Sequence, residues 1–371
     1  MPRSYKVVVL PGDGVGREVI PEAVKALKAA QDSISGLELS FEEYECGFEY
    51  YKNKGEPWSE EAYSACRESD AILFGAVGLP GVRGLEHIVY MHRHLRWDLD
   101  LYANVRPVKL RENVRCPLAG KKAGDIDIVF VRENTEDLYA PIRGSLTRAD
   151  VEEVALDVKI VTRKGSERVI RQAFELCRSR RRGAPADGKK RVTCVDKSTV
   201  LRSCALFRKV YDEVAEEYPE IDRDYALIDA WTQWALRRPE YYDVIVTTNM
   251  FGDIITDMMA PVQGGLGIAP SAEVGDRYGM FRPIHGSAPK YYGQFVANPI
   301  ATILSAGMLL DWLGDRHEDR SAKEAAKKIE RAVDLNLKEG KLLTYDLGGS
   351  SKTYEVGDDI AKKIRESGSQ I

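Results

Sequence analysis

Two aspartates, Asp253 and Asp257, stand four residues apart in Asn249-Met250-Phe251-Gly252-Asp253-Ile254-Ile255-Thr256-Asp257. On a helix that spacing puts both carboxylates on one face, where they repel each other. A hard divalent cation, Mg²⁺ or Mn²⁺, relieves the repulsion by taking carboxylate oxygens as ligands. The plainer alternative is a solvated helix face. The mostly apolar stretch 243–248 that leads into the pair favours the metal. Three arginines, Arg96, Arg106 and Arg132, add a cationic set. Arg132 closes an apolar run, and a charge at the end of a buried strand faces the ligand crevice of an α/β sheet. Guanidinium groups grip carboxylates bidentately. A surface ion pair is the ordinary fate of any one of them. Three beside a metal site point instead to a substrate with several carboxylates.

These side chains need a scaffold. Short apolar runs at Lys6–Leu10, Ala71–Phe74, Ile126–Val131, Val192–Val195 and Val244–Thr247 read as strands buried on both faces of a mostly parallel sheet. Helical spacing lies between them, with Ile20, Val24 and Leu27 on one face and Ile170, Ala173, Phe174 and Cys177 on another. Ser321 with Glu324 reads as a capping box opening a helix that stops before Gly340, and Asn298-Pro299 reads as another helix start. The alternation predicts the α/β class. A glycine cluster, Gly12-Asp13-Gly14-Val15-Gly16, sits between strand and helix. It misses the dinucleotide spacing because position 17 is arginine. It implies only a tight turn that can approach a ligand.

Composition narrows the class. The 371 residues suggest two domains or one large one, and 44% apolar with 30% charged is an ordinary globular balance. A net charge of -4 argues against non-specific nucleic-acid binding. Residues 178–191 carry seven basic side chains and one acidic, yet no aromatic is interleaved for base stacking, so a solvated loop is expected. No apolar run approaches a membrane span, and no signal peptide is evident. The six cysteines form no Cys-x-x-Cys pair, as expected of packing residues in a reducing cytoplasm.

Several long stretches appear together in one order: Pro11-Gly12-Asp13-Gly14, LDLYANVRPVK, VRENTEDLYA, VDKSTV, NMFGDIITD, HGSAPKYYGQFVANP and Val356-Gly357-Asp358. In this the chain resembles the β-decarboxylating dehydrogenases acting on isocitrate, homoisocitrate, 3-isopropylmalate and tartrate or D-malate, over nearly its whole length. The resemblance implies a two-domain isocitrate/isopropylmalate dehydrogenase-like fold, not a classical Rossmann fold. A cofactor-binding domain would hold both termini, residues 1–103 and 263–371. A central domain for substrate, metal and dimerisation would span 104–262. The resemblance also implies a homodimer or larger homo-oligomer with shared active sites.

Carried over motif by motif, Arg96, Arg106 and Arg132 would hold the two carboxylates of the malate moiety. Asp253 and Asp257 would bind the metal with Asp229 of the partner subunit. Tyr139 would donate a proton, and Lys197 of the partner subunit would act as base. The implied reaction is oxidative decarboxylation of a (2R,3S)-type 2-hydroxy acid with hydride transfer to NAD(P). His285, Gly286, Ser287, Ala288, Lys290, Tyr291, Asn298 and Tyr345 match the cofactor-binding positions. Lys290-Tyr291 with Tyr345 favours NADP, because NAD enzymes usually carry aspartate after HGSAP. Glycine at 349, where the NADP pocket has arginine, points the other way. Arg282 stands where the family usually has glutamate, and the basic 178–191 segment is longer than usual.

Arg93, three before Arg96, suits a third carboxylate. That favours isocitrate or homoisocitrate, with 3-isopropylmalate and tartrate or D-malate as alternatives. A non-catalytic regulatory subunit, which typically lacks the tyrosine, the lysine or the aspartates, is disfavoured because all five residues are present.

Overall fold

Each of the five apolar runs forms a strand in the computed structural model, which describes residues 3–78 and 91–366, the side chains of His92 and Arg93 excepted. The chain divides into two compact units, Met1–Leu101 with Lys109–Ala123 and Met259–Ile371, and Tyr102–Val108 with Gly124–Met258.

The first unit contains strands β1 (Arg3–Gly12), β2 (Leu37–Glu43) and β3 (Ala71–Ala76). Strands β2 and β3 both pair in parallel with β1. Two later strands, β11 (Pro270–Val274) and β12 (Gly279–Pro283), extend this sheet: β12 runs parallel to β3, and β11 is antiparallel to β12. Every residue of β3 is buried, as the unbroken apolar run requires.

Helices Gly16–Asp32, Ile300–His317, Arg320–Glu339 and Thr353–Glu366 pack on one another beside these strands. Ile20 and Leu27 of the first are fully buried. Gly340 ends the third in a left-handed turn, as expected. The cap at its start differs from expectation: Asp319, not Ser321, accepts the backbone N–H groups of Ser321 and Ala322. A carboxylate two residues earlier outcompetes the hydroxyl for the free amides.

The second unit has β4 (Ala103–Lys109), β5 (Asp127–Glu133), β8 (Arg191–Asp196), β9 (Asp222–Leu227) and β10 (Val244–Thr247). Their order is β4-β5-β10-β8-β9, and β5, β10, β8 and β9 are mutually parallel. Helix Arg163–Ser179 covers β5 and β10 and buries Ile170, Ala173, Phe174 and Cys177.

A hairpin, β6 (Arg143–Arg148) with β7 (Val151–Asp157), forms a separate two-stranded sheet. All its strand residues are exposed, including Leu146, Val151, Val154 and Leu156. The basic 178–191 segment is largely tied to the protein. Arg180 reaches Asp243 at 2.7 Å and Asp127 at 3.0 Å, and Arg191 reaches Asp187 at 2.8 Å while lying over the Tyr241 ring.

Candidate active site

Parallel strands aim their C-terminal ends at one edge, where α/β ligand sites form. In the second unit that edge collects most of the expected residues. Arg132 lies near the end of β5, and Lys197 follows β8 directly. Asp229 opens the helix Ile228–Arg237 after β9, and helix Asn249–Met259 after β10 carries Asp253 and Asp257.

Asp253 is the meeting point. Its Oδ1 accepts from Arg132 Nη1 and, at 3.2 Å, from Arg106 Nη2. Its Oδ2 accepts from the Tyr139 hydroxyl at 2.8 Å. Arg106 also donates to Thr256 Oγ1 at 2.6 Å, to Asp257 Oδ1 at 3.3 Å and to Asn104 Oδ1 at 2.9 Å. Both arginines are buried, Arg132 to 1% exposure, whereas the side chains of Asp253 and Asp257 are 35% and 55% exposed. The carboxylates therefore lean outward from a buried cationic floor. Withdrawal from water and the neighbouring Asp253 hold the Asp257 carboxyl above its usual range, against the pull of Arg106 and Arg132.

The packing of Arg132 depends on Gly252. A Cβ there would lie 2.6 Å from the Arg132 Cγ, so only glycine lets the arginine shaft cross the helix. The helix start is held by Asp137, whose carboxylate accepts the Met250 N–H at 3.1 Å and pairs with Lys159.

Lys197 and Asp229 stand together, with Nζ 2.5 Å from Oδ1. The lysine holds the Asp229 carboxyl below its usual range. Among the described residues, no group of three or more histidine, cysteine or acidic side chains gathers around one point. The pair Asp253 and Asp257 offers only carboxylate oxygens, which fits a hard divalent cation short of its full ligand set.

Arg96 lies in the first unit, on helix Met91–Asp98. It makes a bidentate ion pair with Glu273 of β11, Nε to Oε2 and Nη2 to Oε1, both at 2.6 Å. Arg282 comes within 4.0 Å of the same carboxylate and lies over the Phe74 ring. The Arg93 side chain falls outside the described residues.

The expected cofactor positions also lie in the first unit. The glycine loop after β1 packs against 285–288: Val15 N–H donates to Ser287 O at 2.8 Å, and a Cβ on Gly14 would stand 2.1 Å from that oxygen. Gly14 takes φ +55° there, which glycine alone adopts freely. Ser287 also donates to Gly78 O, and Ala288 is left-handed at φ 38°. His285 is held below its usual pKa by burial, and its Nδ1 lies 3.0 Å from Gly286 O.

Lys290 stands over the Tyr291 ring at 4.6 Å, and that ring lies 5.6 Å from Tyr345. Each phenol acts on the other, which pushes Tyr345 up to about 12 and, with Lys290 alongside, lowers Tyr291. Lys290, Tyr291 and Tyr345 thus form one cluster, with Lys290 and Tyr345 exposed and Tyr291 half-buried. Asn298 instead braces the local backbone, accepting from Ile300 N–H at 3.0 Å and donating to Asp346 at 3.1 Å. At Gly349 a Cβ would lie 2.0 Å from Leu343 O, so this loop has no room for arginine.

Sequence reading missed Asn249, Asn104, Thr256 and Glu273. The last had an available sign, a lone acid in an otherwise uncharged strand segment, Pro270–Val274.

Residues 6–360 match the family model described as isocitrate/isopropylmalate dehydrogenase. The 3-isopropylmalate/3-methylmalate dehydrogenase of Methanocaldococcus jannaschii is 41% identical over 98% of this chain and 99% of that protein. The homoisocitrate dehydrogenase of the same organism is 40% identical over 97% of this chain and 98% of that protein. The crystal structure of isocitrate dehydrogenase from Methylococcus capsulatus superposes with a TM-score of 0.84, at 33% identity, over 97% of this chain and 99% of that one. The chain belongs to the isocitrate/isopropylmalate dehydrogenase family, the NAD(P)-dependent β-decarboxylating dehydrogenases.

Proposed function

We propose that this chain oxidises and decarboxylates a 3-substituted malate at a site built around Asp253. The observation that carries the reading is the convergence of Arg132, Arg106 and Tyr139 on that one carboxylate. Two buried guanidinium groups beside a carboxylate pair suit a substrate that is itself a polyanion. Arg106 and Arg132 would grip the carboxylates of the malate moiety, and Arg96, aligned by Glu273, is assigned to the same task by the resemblance. Asp253 and Asp257, with Asp229 of the partner subunit, would hold Mg²⁺ or Mn²⁺, which would supply Lewis acidity for the oxidation and the loss of CO₂.

Lys197 of the partner subunit would take the hydroxyl proton, and a bound nicotinamide would supply the hydride acceptor for C2. The resulting 2-oxo acid loses its β-carboxylate as CO₂, and the bonding electrons pass toward C2. Tyr139 then delivers a proton to C3.

The 285–288 loop of the first unit would hold the cofactor, and Lys290, Tyr291 and Tyr345 would serve its adenosine end. A lysine beside two phenols suits a 2′-phosphate, so NADP is the favoured cofactor and NAD the second. The crowding at Gly349 is the observation on the side of NAD.

Two readings of the 3-substituent each have support. Arg93 favours a third carboxylate, hence isocitrate or homoisocitrate. The relatives named for 3-isopropylmalate match at 40–43% identity and the one named for homoisocitrate at 40%, so identity leaves the alkyl group at least as well supported as the third carboxylate.

A homodimer is part of this reading: among the described residues Lys197 and Asp229 stand as a pair apart from Asp253 and Asp257, as sites shared between subunits would require. The exposed apolar hairpin β6–β7 needs a covering partner, since an isolated two-stranded sheet is marginal in water. Six free thiols, five of them buried, suit the cytoplasm, and no helix among the described residues is long and apolar enough to cross a membrane. The test is a panel of isocitrate, homoisocitrate, 3-isopropylmalate, tartrate and D-malate, each with NAD and NADP, in the presence and absence of Mn²⁺.

A further inference from the structure

Asn249 belongs to none of the roles above, yet it is fully buried at the head of the metal helix. Its Oδ1 accepts two bonds from Arg132, from Nε at 3.0 Å and from Nη2 at 2.6 Å. Its Nδ2 donates to the carbonyl oxygen of Glu136 at 3.1 Å. Glu136 precedes Tyr139 by three residues. Arg132 and Tyr139 meet again on Asp253. A closed circuit therefore runs from Asn249 through Arg132, Asp253 and Tyr139, and back along the chain to Glu136.

The amide cannot flip within it. Arginine only donates and the carbonyl only accepts, so each end of Asn249 has one allowed partner.

The charge of this partner matters. On Arg96 the same guanidinium edge is taken by Glu273, a carboxylate. On Arg132 it is taken by a neutral amide. Arg106 and Arg132 are already matched by Asp253 and Asp257 in the cluster around them. An aspartate at 249 would add a third negative charge and make a fork-to-fork ion pair with Arg132.

We propose that Asn249 is a positioning residue of the reaction: its uncharged amide aims Arg132 at the substrate carboxylate without neutralising it, and ties that aim to the register of the Tyr139 loop. The inference rests on Arg132 being a substrate clamp and Tyr139 a proton donor.

The test compares Asn249→Asp, Asn249→Ala, Arg132→Lys and the Asn249→Ala/Arg132→Lys double variant as purified full chains with Mn²⁺ and NAD(P). The substrate is whichever of D-malate, 3-isopropylmalate and isocitrate the wild type turns over fastest. Asn249→Asp should raise KM for the hydroxy acid by at least about tenfold, the loss of roughly one charge-assisted contact, with KM for the cofactor unchanged. Asn249→Ala should lower kcat/KM about thirtyfold in the wild type but less than about threefold beside Arg132→Lys, because contacting residues are not additive.

A purely structural asparagine would lower thermal stability and leave both KM values alone, and that result overturns the proposal. So do losses that multiply in the double variant, which also decides the matter if Asn249→Asp does not fold. If Arg132→Lys alone leaves the hydroxy-acid KM unchanged, it is the clamp assignment beneath the proposal that fails.

Discussion

Replacing Asp253 by asparagine removes one charge and almost no volume at the point where the site converges. The variant loses a carboxylate that accepts from Arg132, Arg106 and Tyr139. The fold should tolerate this. Arg132 keeps both bonds to Asn249, and Arg106 keeps Asn104 and Thr256. The Asp253 side chain is 35% exposed, so solvent screens much of its pairing. The stability loss should stay near ~1 kcal/mol. For a chain of this size that lowers Tm by no more than about 3 °C.

Activity should suffer far more. On the proposed reading metal binding loses a charged ligand, and two buried cations face an amide in place of an acid. Truncating one partner of a hydrogen-bonded charge pair costs about 2–5 kcal/mol, and about 1.4 kcal/mol is one decade, so kcat/KM should fall by roughly 30- to 3,000-fold. The assay follows nicotinamide reduction against Mn²⁺ concentration, with circular dichroism melting as the control for folding. Near-wild-type kcat/KM at limiting Mn²⁺ would refute the assignment of Asp253. A melting point lowered by far more than a few degrees would refute the reasoning about its neighbours.

Three other perturbations probe the rest. Lys197→Met and Tyr139→Phe should each cut turnover severely. Mixing the two inactive proteins should restore part of the activity, because exchanged dimers hold one site with neither defect; no recovery after demonstrated subunit exchange argues against shared sites. Lys290→Asp with Tyr291→Ile should move the NADP-to-NAD preference toward NAD by at least roughly tenfold, through loss of a charge-assisted bond worth about 1.5–3 kcal/mol. A wild type that already prefers NAD strongly contradicts that reading and makes Gly349 the better guide. Arg93→Val should cost about 2–5 kcal/mol in kcat/KM for isocitrate and homoisocitrate while sparing 3-isopropylmalate. Arg96→Val should damage all of them alike, and equal effects of the two variants would remove Arg93 from substrate selection.

The strands that were legible in the sequence are those buried on both faces, β1, β3, β5, β8 and β10, because burial leaves an unbroken apolar run. The others hide their pattern for identifiable reasons. Strand β4 contains Pro107, which cannot donate to a ladder and argues against a strand on sight. Strands β2 and β9 sit at the ends of the strand order and mix charged with apolar residues. Hairpin β6–β7 is exposed on both faces, so neither period of two nor apolar continuity marks it.

Within the site, the spacing of Asp253 and Asp257 and the strand-end position of Arg132 were readable, since each follows from local geometry. The partners that orient them were not. Asn249, Asn104, Thr256 and Glu273 act through contacts that only the folded chain creates, Glu273 across 177 residues of sequence from Arg96. The cap on helix Arg320–Glu339 shows the same limit at short range, because Asp319 and Ser321 are both good caps and only the backbone path decides between them.

The central claim is metal-assisted oxidation coupled to loss of CO₂ from a 3-substituted malate. Its most direct measurement supplies the purified chain with Mn²⁺, NADP or NAD, and each hydroxy acid of the panel in turn. Reduced nicotinamide and released CO₂ are quantified in the same vessel. The account predicts equal amounts of the two with at least one 3-substituted malate, and neither when EDTA removes the metal. Nicotinamide reduction without CO₂, or turnover that survives EDTA, would contradict it.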